Sequence, residues 1–247
     1  MYKQVKSIVK NGILVLKNPS LLKRGTPILW PIQRARTEWL LESKNQSEQD
    51  LIRTLTGIDQ IKLQDIMSEV DFEARAKSLY SLVRIMKPTL VVETGVSIGN
   101  TSRAFLTAME RNQYGELYSI DLPTETRLSD GLTYRGNPAE VGKLVPQDVR
   151  YRWHLILGDS RTELPTLLNK VKEIDFFFHD SLHTEEHMFW EFKTAWPFIR
   201  NGGILLSDDI GVSFLKFLKQ CEYKNWGCSG PYSSKLGAVV KGMKQGI

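Results

Sequence analysis

The 247-residue chain has only two cysteines, Cys221 and Cys228, which form neither a Cys-x-x-Cys pair nor a disulfide framework. A reducing, cytoplasmic setting is therefore expected. No uninterrupted apolar run approaches the ~18 residues of a membrane span. The N-terminal apolar stretch, Ile13 to Leu16, is closed at once by Lys17, too short for a secretory leader. Internal repeats and low-complexity tracts are absent. Acidic residues are missing from the first 37 positions, which hold eight basic ones: Lys3, Lys6, Lys10, Lys17, Lys23, Arg24, Arg34 and Arg36. The net charge of +5 comes from 33 basic and 28 acidic residues, so without those eight the remainder is 25 against 28, or −3. Positive charge is thus a property of the arm, whereas a nucleic-acid enzyme spreads it over its working face. The arm reads as a solvated basic terminus, with contact to a membrane surface, an acidic substrate or a partner as the alternatives.

What is present is an ordinary globular composition, 41% hydrophobic and 25% charged. The first 70 residues read as short helical pieces (36–41, 47–55, 60–70) broken by turn formers such as Asn18-Pro19-Ser20, Gly25-Thr26-Pro27 and Gly57. A stronger helix is expected to start at an N-cap Asp71 and to stop at Pro88. Beyond it, apolar runs at 89–93, 116–120, 153–157, 174–178 and 203–206 alternate with helical patterns at 101–111, 161–171, 184–199 and 213–221. Strands apolar on both faces that alternate with helices specify a parallel sheet covered by helices. Leu236 to Lys241 reads as a final strand, reversed against the edge.

In such sheets ligands bind beyond the carboxyl ends of the strands. Those ends carry Glu93, Asp121, Asp159, Asp180 and the pair Asp208-Asp209. One acid after a strand is a common turn former or helix cap, but five in register at one edge need hydrogen bonds or a cation. After the first strand comes Glu93-Thr94-Gly95-Val96-Ser97-Ile98-Gly99-Asn100-Thr101, whose glycines allow a tight turn and close approach to a ligand. The helix that follows points free N–H groups at the same place. No Gly-Lys-Ser/Thr follows, which excludes a phosphate P-loop. A nicotinamide-binding turn is the competing reading, but no Tyr-x-x-x-Lys pair occurs downstream.

Val91-Val92-Glu93-Thr94-Gly95 through Gly99 resembles the first motif of the class I S-adenosylmethionine-dependent methyltransferases. Leu117 to Asp121 resembles their second motif, and Leu157-Gly158-Asp159-Ser160 their third. The resemblance covers about residues 71 to 247. It implies that Glu93 and the loop through Thr94, Gly95, Ser97, Gly99 and Thr101 hold the methionine part of the cofactor. Asp121 would take the ribose hydroxyls, and Asp159 and Ser160 would lie near the adenine.

The segment Asp175 to His187 holds three of the four histidines. His183-Thr184-Glu185-Glu186-His187 fits the inverted zinc-peptidase pattern, but it begins just after a buried strand, and no third ligand is placed. Asp180 with Asp208 and Asp209 offers hard oxygen donors suited to Mg²⁺, Mn²⁺ or Ca²⁺. This set resembles the metal-dependent O-methyltransferases of the catechol, antibiotic-sugar and cephalosporin-hydroxylase-like groups, which implies a divalent cation, with Mg²⁺ expected. His183, three residues beyond Asp180, is the candidate general base for a metal-bound hydroxyl. His179 and His187 are read as structural, His154 is assigned no role, and Trp190, Phe192, Trp196 and Phe198 are read as core. The long segment 123–147 is a candidate substrate lid.

The expectation is a Rossmann-like α/β methyltransferase fold with a mostly parallel seven-stranded sheet over 71–247, preceded by a basic, mainly helical arm or cap over 1–70. Its function would be methyl transfer to a small-molecule hydroxyl, such as a sugar of a glycosylated natural product or glycan, by a homo-oligomer with no nucleic-acid partner. An NAD-binding or non-catalytic Rossmann-like module is the alternative.

Overall fold

The structure, a computed structural model, describes residues 42, 44–122, 137–221, 226–230 and 236–242, together with the backbone of 125–127 and 133–135. Residues 46–247 make up one compact unit, and 1–45 are a second. The expected helix over 36–41 and the basic arm lie outside the described residues.

Helix α1 (Glu48–Thr56) starts where the hydroxyl of Ser47 accepts the Asp50 N–H at 3.1 Å. It ends at Gly57, whose positive φ of 71° allows the left-handed cap. Helix α2 (Gln60–Ser68) is capped by Asp59 in the same way. Helix α3 (Ala74–Met86) has its N-cap at Glu73, two residues later than the expected Asp71. The reason is Phe72, which packs edge-on against Tyr80, with Arg103 stacked over it, and so keeps 71–73 out of the helix.

The alternating units follow: β1 (Leu90–Thr94), α4 (Asn100–Asn112), β2 (Glu116–Asp121), β3 (Trp153–Leu157), α5 (Ser160–Val171), β4 (Ile174–His179), α6 (Glu185–Ala195), β5 (Ile199–Ser207), α7 (Val212–Gln220), β6 (Trp226–Ser229) and β7 (Leu236–Val240). The strand order is β6-β7-β5-β4-β1-β2-β3, and the two-residue Asn45–Gln46 beside β6 makes the sheet eight-stranded where seven strands were expected. Strands β1 to β5 are parallel, and β7 runs antiparallel to β5 and β6. The fold class read from the sequence is the one observed.

Alternation along each strand sorts the core into two layers. Val91, Phe176, Phe178, Ile204, Leu206 and Ala238 join one cluster with Leu51 of α1, Leu79 of α3 and Phe105 of α4. On the α6–α7 side Phe192 packs against Phe214 and Phe217, with ring centroids 6.0 and 5.5 Å apart. Two expectations need correction. The helix expected over 184–199 ends at Ala195, because Trp196–Phe198 tightens into a 3₁₀ turn around Pro197 and Ile199 already pairs with Ile174. Strand β5 is therefore longer than the expected 203–206. Strand β6 was not anticipated.

Where neighbouring strands begin, Asp175 is a buried tie. Its Oδ2 accepts the N–H groups of Thr89 (2.8 Å) and Leu90 (2.9 Å), and its Oδ1 pairs with Arg200 of β5. Asp175→Ala strands two backbone donors and an arginine. Urea unfolding should show a loss of about 1.5–3 kcal/mol, the range for hydrogen bonds to a charged group, with an unchanged m value.

Candidate active site

The order of strands reverses between β1 and β4, so α4 and α6 leave toward opposite faces and a crevice opens between the two strand ends. The end of β1 is fastened on both sides: the Thr94 carbonyl accepts the Asp180 N–H at 2.8 Å, and the Gly95 N–H reaches the Ile120 carbonyl at 2.9 Å. Gly95 has φ 83°, and a Cβ there would lie 2.0 Å from the Asp180 carbonyl oxygen, so only glycine fits. The loop then bends over Asp121, whose Oδ2 accepts the N–H groups of Val96 (2.6 Å) and Ser97 (2.9 Å). These bonds hold Ser97 in the left-handed region at φ 50°.

A cavity of about 450 Å³ opens here. Of the expected cofactor residues, Gly95, Ser97, Asp121, Asp159 and Ser160 line it, together with Leu122, Arg161, Asp180, Ser181, Leu182 and His187. Four others are turned elsewhere. The Glu93 side chain is fully buried, its Oε2 accepting hydrogen bonds from Ser102 of α4 (2.6 Å) and Ser119 of β2 (2.8 Å). Thr94 donates its hydroxyl to Glu191. Gly99 lies against Gly142, and Thr101 is half-buried in the first turn of α4. The described part of the candidate lid is tied to the loop after β1, since Gly142 and Leu144 donate N–H bonds to the carbonyls of Ser97 and Ile98, and none of its residues lines the cavity.

Behind the cavity wall sits Glu191 of α6, fully buried and absent from the sequence-derived site. Its Oε2 accepts from Thr94 Oγ1 and His179 Nδ1, both at 2.6 Å, and its Oε1 from Ser181 Oγ and His187 Nε2, both at 2.9 Å. Burial works against its charge, but the bonds from His179 and His187 outweigh it and hold the carboxyl well below the usual carboxylate range. His187 Nε2 also lies 3.1 Å from Ser160 Oγ, so this one carboxylate connects β1, β4, α5 and α6. The available sequence signal was an acid inside an aromatic helix, one turn beyond a histidine.

Asp180 also belongs to a second cluster. Donor atoms of Asp180, His183 and Asp208 lie within 4.8 Å of one another. His183 Nε2 is 3.5 Å from Asp180 Oδ1, and its Nδ1 is 3.2 Å from Asp209 Oδ2. Asp209, the third expected ligand, stands on the far side of the imidazole at φ 51°, with its Oδ1 buried and unpartnered. Asp208 pairs with Arg75 of α3. Burial lowers the His183 pKa, but Asp180 and Asp209 override it and push it up to about 10. Burial and the neighbouring Asp180 raise Asp208 to about 6. Two hard carboxylates and an imidazole converging from Asp180, Asp208 and His183 fit a divalent cation, and Asp209 is not brought into that group but pairs with the opposite ring nitrogen.

Residues 92–210 match the family described as "Methyltransferase domain", the one anticipated from the motifs. No curated protein matches the chain. Similar solved structures include the O-methyltransferase from Bacillus cereus in complex with SAH (12% identity, 85% of this chain and 99% of that one, TM-score 0.50). Others are the O-methyltransferase TomG from Streptomyces achromogenes, involved in tomaymycin synthesis, in complex with SAM (15%, 85% and 98%, 0.50) and cofactor-bound Rv0187 from MTB (16%, 77% and 94%, 0.52). At these identities the likeness is one of fold.

The buried Glu93 carboxyl makes stability depend on pH. Burial, with Asp180 and Asp121 adding to it, pushes its carboxyl up to about 8. The folded state keeps this proton up to that pH, while the unfolded chain releases it near the ordinary value of about 4.3. Stability from this group is therefore fully present below about pH 4 and is lost as pH rises toward 8. Glu93→Gln keeps an acceptor for Ser102 and Ser119 without the charge. Its melting temperature relative to wild type should climb from pH 5 to pH 8.5; a difference that stays flat with pH would refute a buried neutral carboxyl.

Proposed function

From the match of residues 92–210 to the methyltransferase-domain family and the geometry at the strand ends, we propose that the chain moves the methyl group of S-adenosylmethionine to a hydroxyl of a small molecule held beside a divalent cation. One observation carries the reading: Asp180 is at once a wall of the cavity at the strand ends and a member of the Asp180–His183–Asp208 cluster. A donor in the cavity and an acceptor at the cluster would meet there.

In this reading the ribose hydroxyls bind Asp121, whose Oδ2 is taken by the loop amides. The methionine part lies along Gly95 and Ser97, and the adenine lies toward Asp159 and Ser160. Glu93 acts from beneath through Ser102 and Ser119, Thr94 through Glu191, Gly99 by admitting Gly142, and Thr101 in the opening turn of α4. Asp180 and Asp208 would hold the cation, Mg²⁺ by the hardness of their oxygens, and Asp209, expected as a third ligand, would instead hold the His183 ring from its other side. When bound, its charge lowers the pKa of the acceptor hydroxyl and of the adjacent imidazole. His183 takes the hydroxyl proton as the oxygen attacks the methyl carbon in line with the departing sulfur. The C–O bond forms as C–S breaks, leaving S-adenosylhomocysteine. A sugar hydroxyl of a glycosylated natural product or glycan is the acceptor we favour. The catalytic portion would be 71–247, with 1–70 as its cap and a homo-oligomer as the working form. Among the described residues no helix is long and apolar enough to cross a membrane.

Calorimetry should show S-adenosylhomocysteine binding and no NAD binding. Asp121→Ala should weaken that binding by about 1.5–3 kcal/mol, the range for hydrogen bonds to a charged group. Tight NAD binding without a response to S-adenosylhomocysteine would favour the nicotinamide alternative.

EDTA should abolish methyl transfer and Mg²⁺ should restore it, while Asp208→Ala leaves cofactor binding nearly intact. His183→Ala should lower the rate on the order of 10²–10⁴-fold. Full activity in EDTA would remove the cation from the reaction.

A further inference from the structure

Arg75 stands in the first turn of α3 with most of its side chain covered, and it holds two carboxylates at once. Its Nη1 donates to Asp208 Oδ1, and its Nε donates to Glu48 Oε1 at 3.1 Å. Glu48 opens α1, and its other oxygen accepts the Ser78 hydroxyl. A line of charge, Glu48–Arg75–Asp208, thus runs from the first described helix into the cation cluster.

An arginine beside a metal-ligating carboxylate can do one of two things. It can orient the carboxylate and strengthen metal binding, or it can supply a positive charge that competes with the metal. Orientation is best served by a bidentate fork, two parallel N–H bonds that fix the carboxylate plane. Here Nη1 meets a single oxygen of Asp208 while Nε is committed to Glu48, so the plane is not fixed that way. What Arg75 delivers is charge, and a guanidinium keeps its charge at every accessible pH. The Glu48 carboxylate draws the same guanidinium the other way.

We propose that Arg75 is a tethered counter-cation of the cluster: it neutralises Asp208 and competes with a divalent cation for it, and Glu48 on α1 sets how strongly it competes. The inference rests on the cation reading given above. It assigns the segment before α3 a task at the site, because substitutions on α1 would retune cation affinity without touching a ligand.

The test is Mn²⁺ binding to the full chain with S-adenosylhomocysteine present, followed by the electron paramagnetic resonance signal of free Mn²⁺. Asp180→Asn marks which binding belongs to the cluster. Arg75→Met should tighten that binding about tenfold or more, since a like charge leaves the ion's immediate surroundings. Arg75→Lys, which keeps the charge, should stay within about threefold of wild type. Glu48→Gln should weaken binding several-fold by releasing the guanidinium to Asp208, and it decides the matter if Arg75→Met does not fold by circular dichroism. If wild type binds Mn²⁺ at the cluster but Arg75→Met binds equally or more weakly, or Glu48→Gln binds equally or more tightly, the competition is overturned and the cation reading survives. If wild type and Asp180→Asn titrate alike, both fall.

Discussion

The backbone of Gly95 lies directly against the carbonyl of Asp180, and the site's layout follows from that approach. Strands β1 and β4 are neighbours in the sheet although two of its other strands, β2 and β3, come between them in the chain, and it is at their seam that the helices part to opposite faces. A side chain at position 95 would push the strand ends apart. Without one, the amide of Asp180 reaches the Thr94 carbonyl, and the Asp180 carboxylate comes to rest where the cavity and the acid–histidine cluster meet. The bend that begins at Gly95 also brings the amides of Val96 and Ser97 onto Asp121 from the next strand. One close contact between main chains therefore positions groups from three strands.

Around that seam the fold confines acids in three different ways. Glu93 has two hydroxyl donors and no cation, and burial leaves it neutral up to about pH 8. Glu191, buried as deeply, has four donors including two imidazoles and stays ionised. Asp180, Asp208 and Asp209 are about a third exposed or less, and they share two positive side chains, Arg75 and His183. The number and charge of the donors decide the outcome, because desolvation opposes the ionised form in each environment. Glu191 has both oxygens satisfied from within the protein, whereas Glu93 bonds through Oε2 alone and its Oε1 is buried without a partner. The aspartate group sets three carboxylates against two positive side chains, and one of the three, Asp180, lines the cavity.

How far the sequence disclosed this depends on whether the signal is local. The five parallel strands were legible because burial on both faces forces continuous apolar runs, and the acids were legible because they end those runs. Which way an acid points follows from strand parity: Glu93 is in phase with Val91 and faces the α3–α4 layer, while Thr94 faces Glu191 on α6. Strand β6 is four residues, Trp-Gly-Cys-Ser, with no alternation to betray it, and it stands as a strand because β7 pairs with it. Asp175, Glu191 and Arg75 escaped notice for a related reason. Asp175 lies 86 positions from Thr89, Glu191 lies 97 from Thr94, and Arg75 lies 133 from Asp208. A motif records residues that a ligand requires at fixed spacing along the chain. The partners that tune those residues are set by which elements the sheet order makes neighbours, and no window along the chain contains that information.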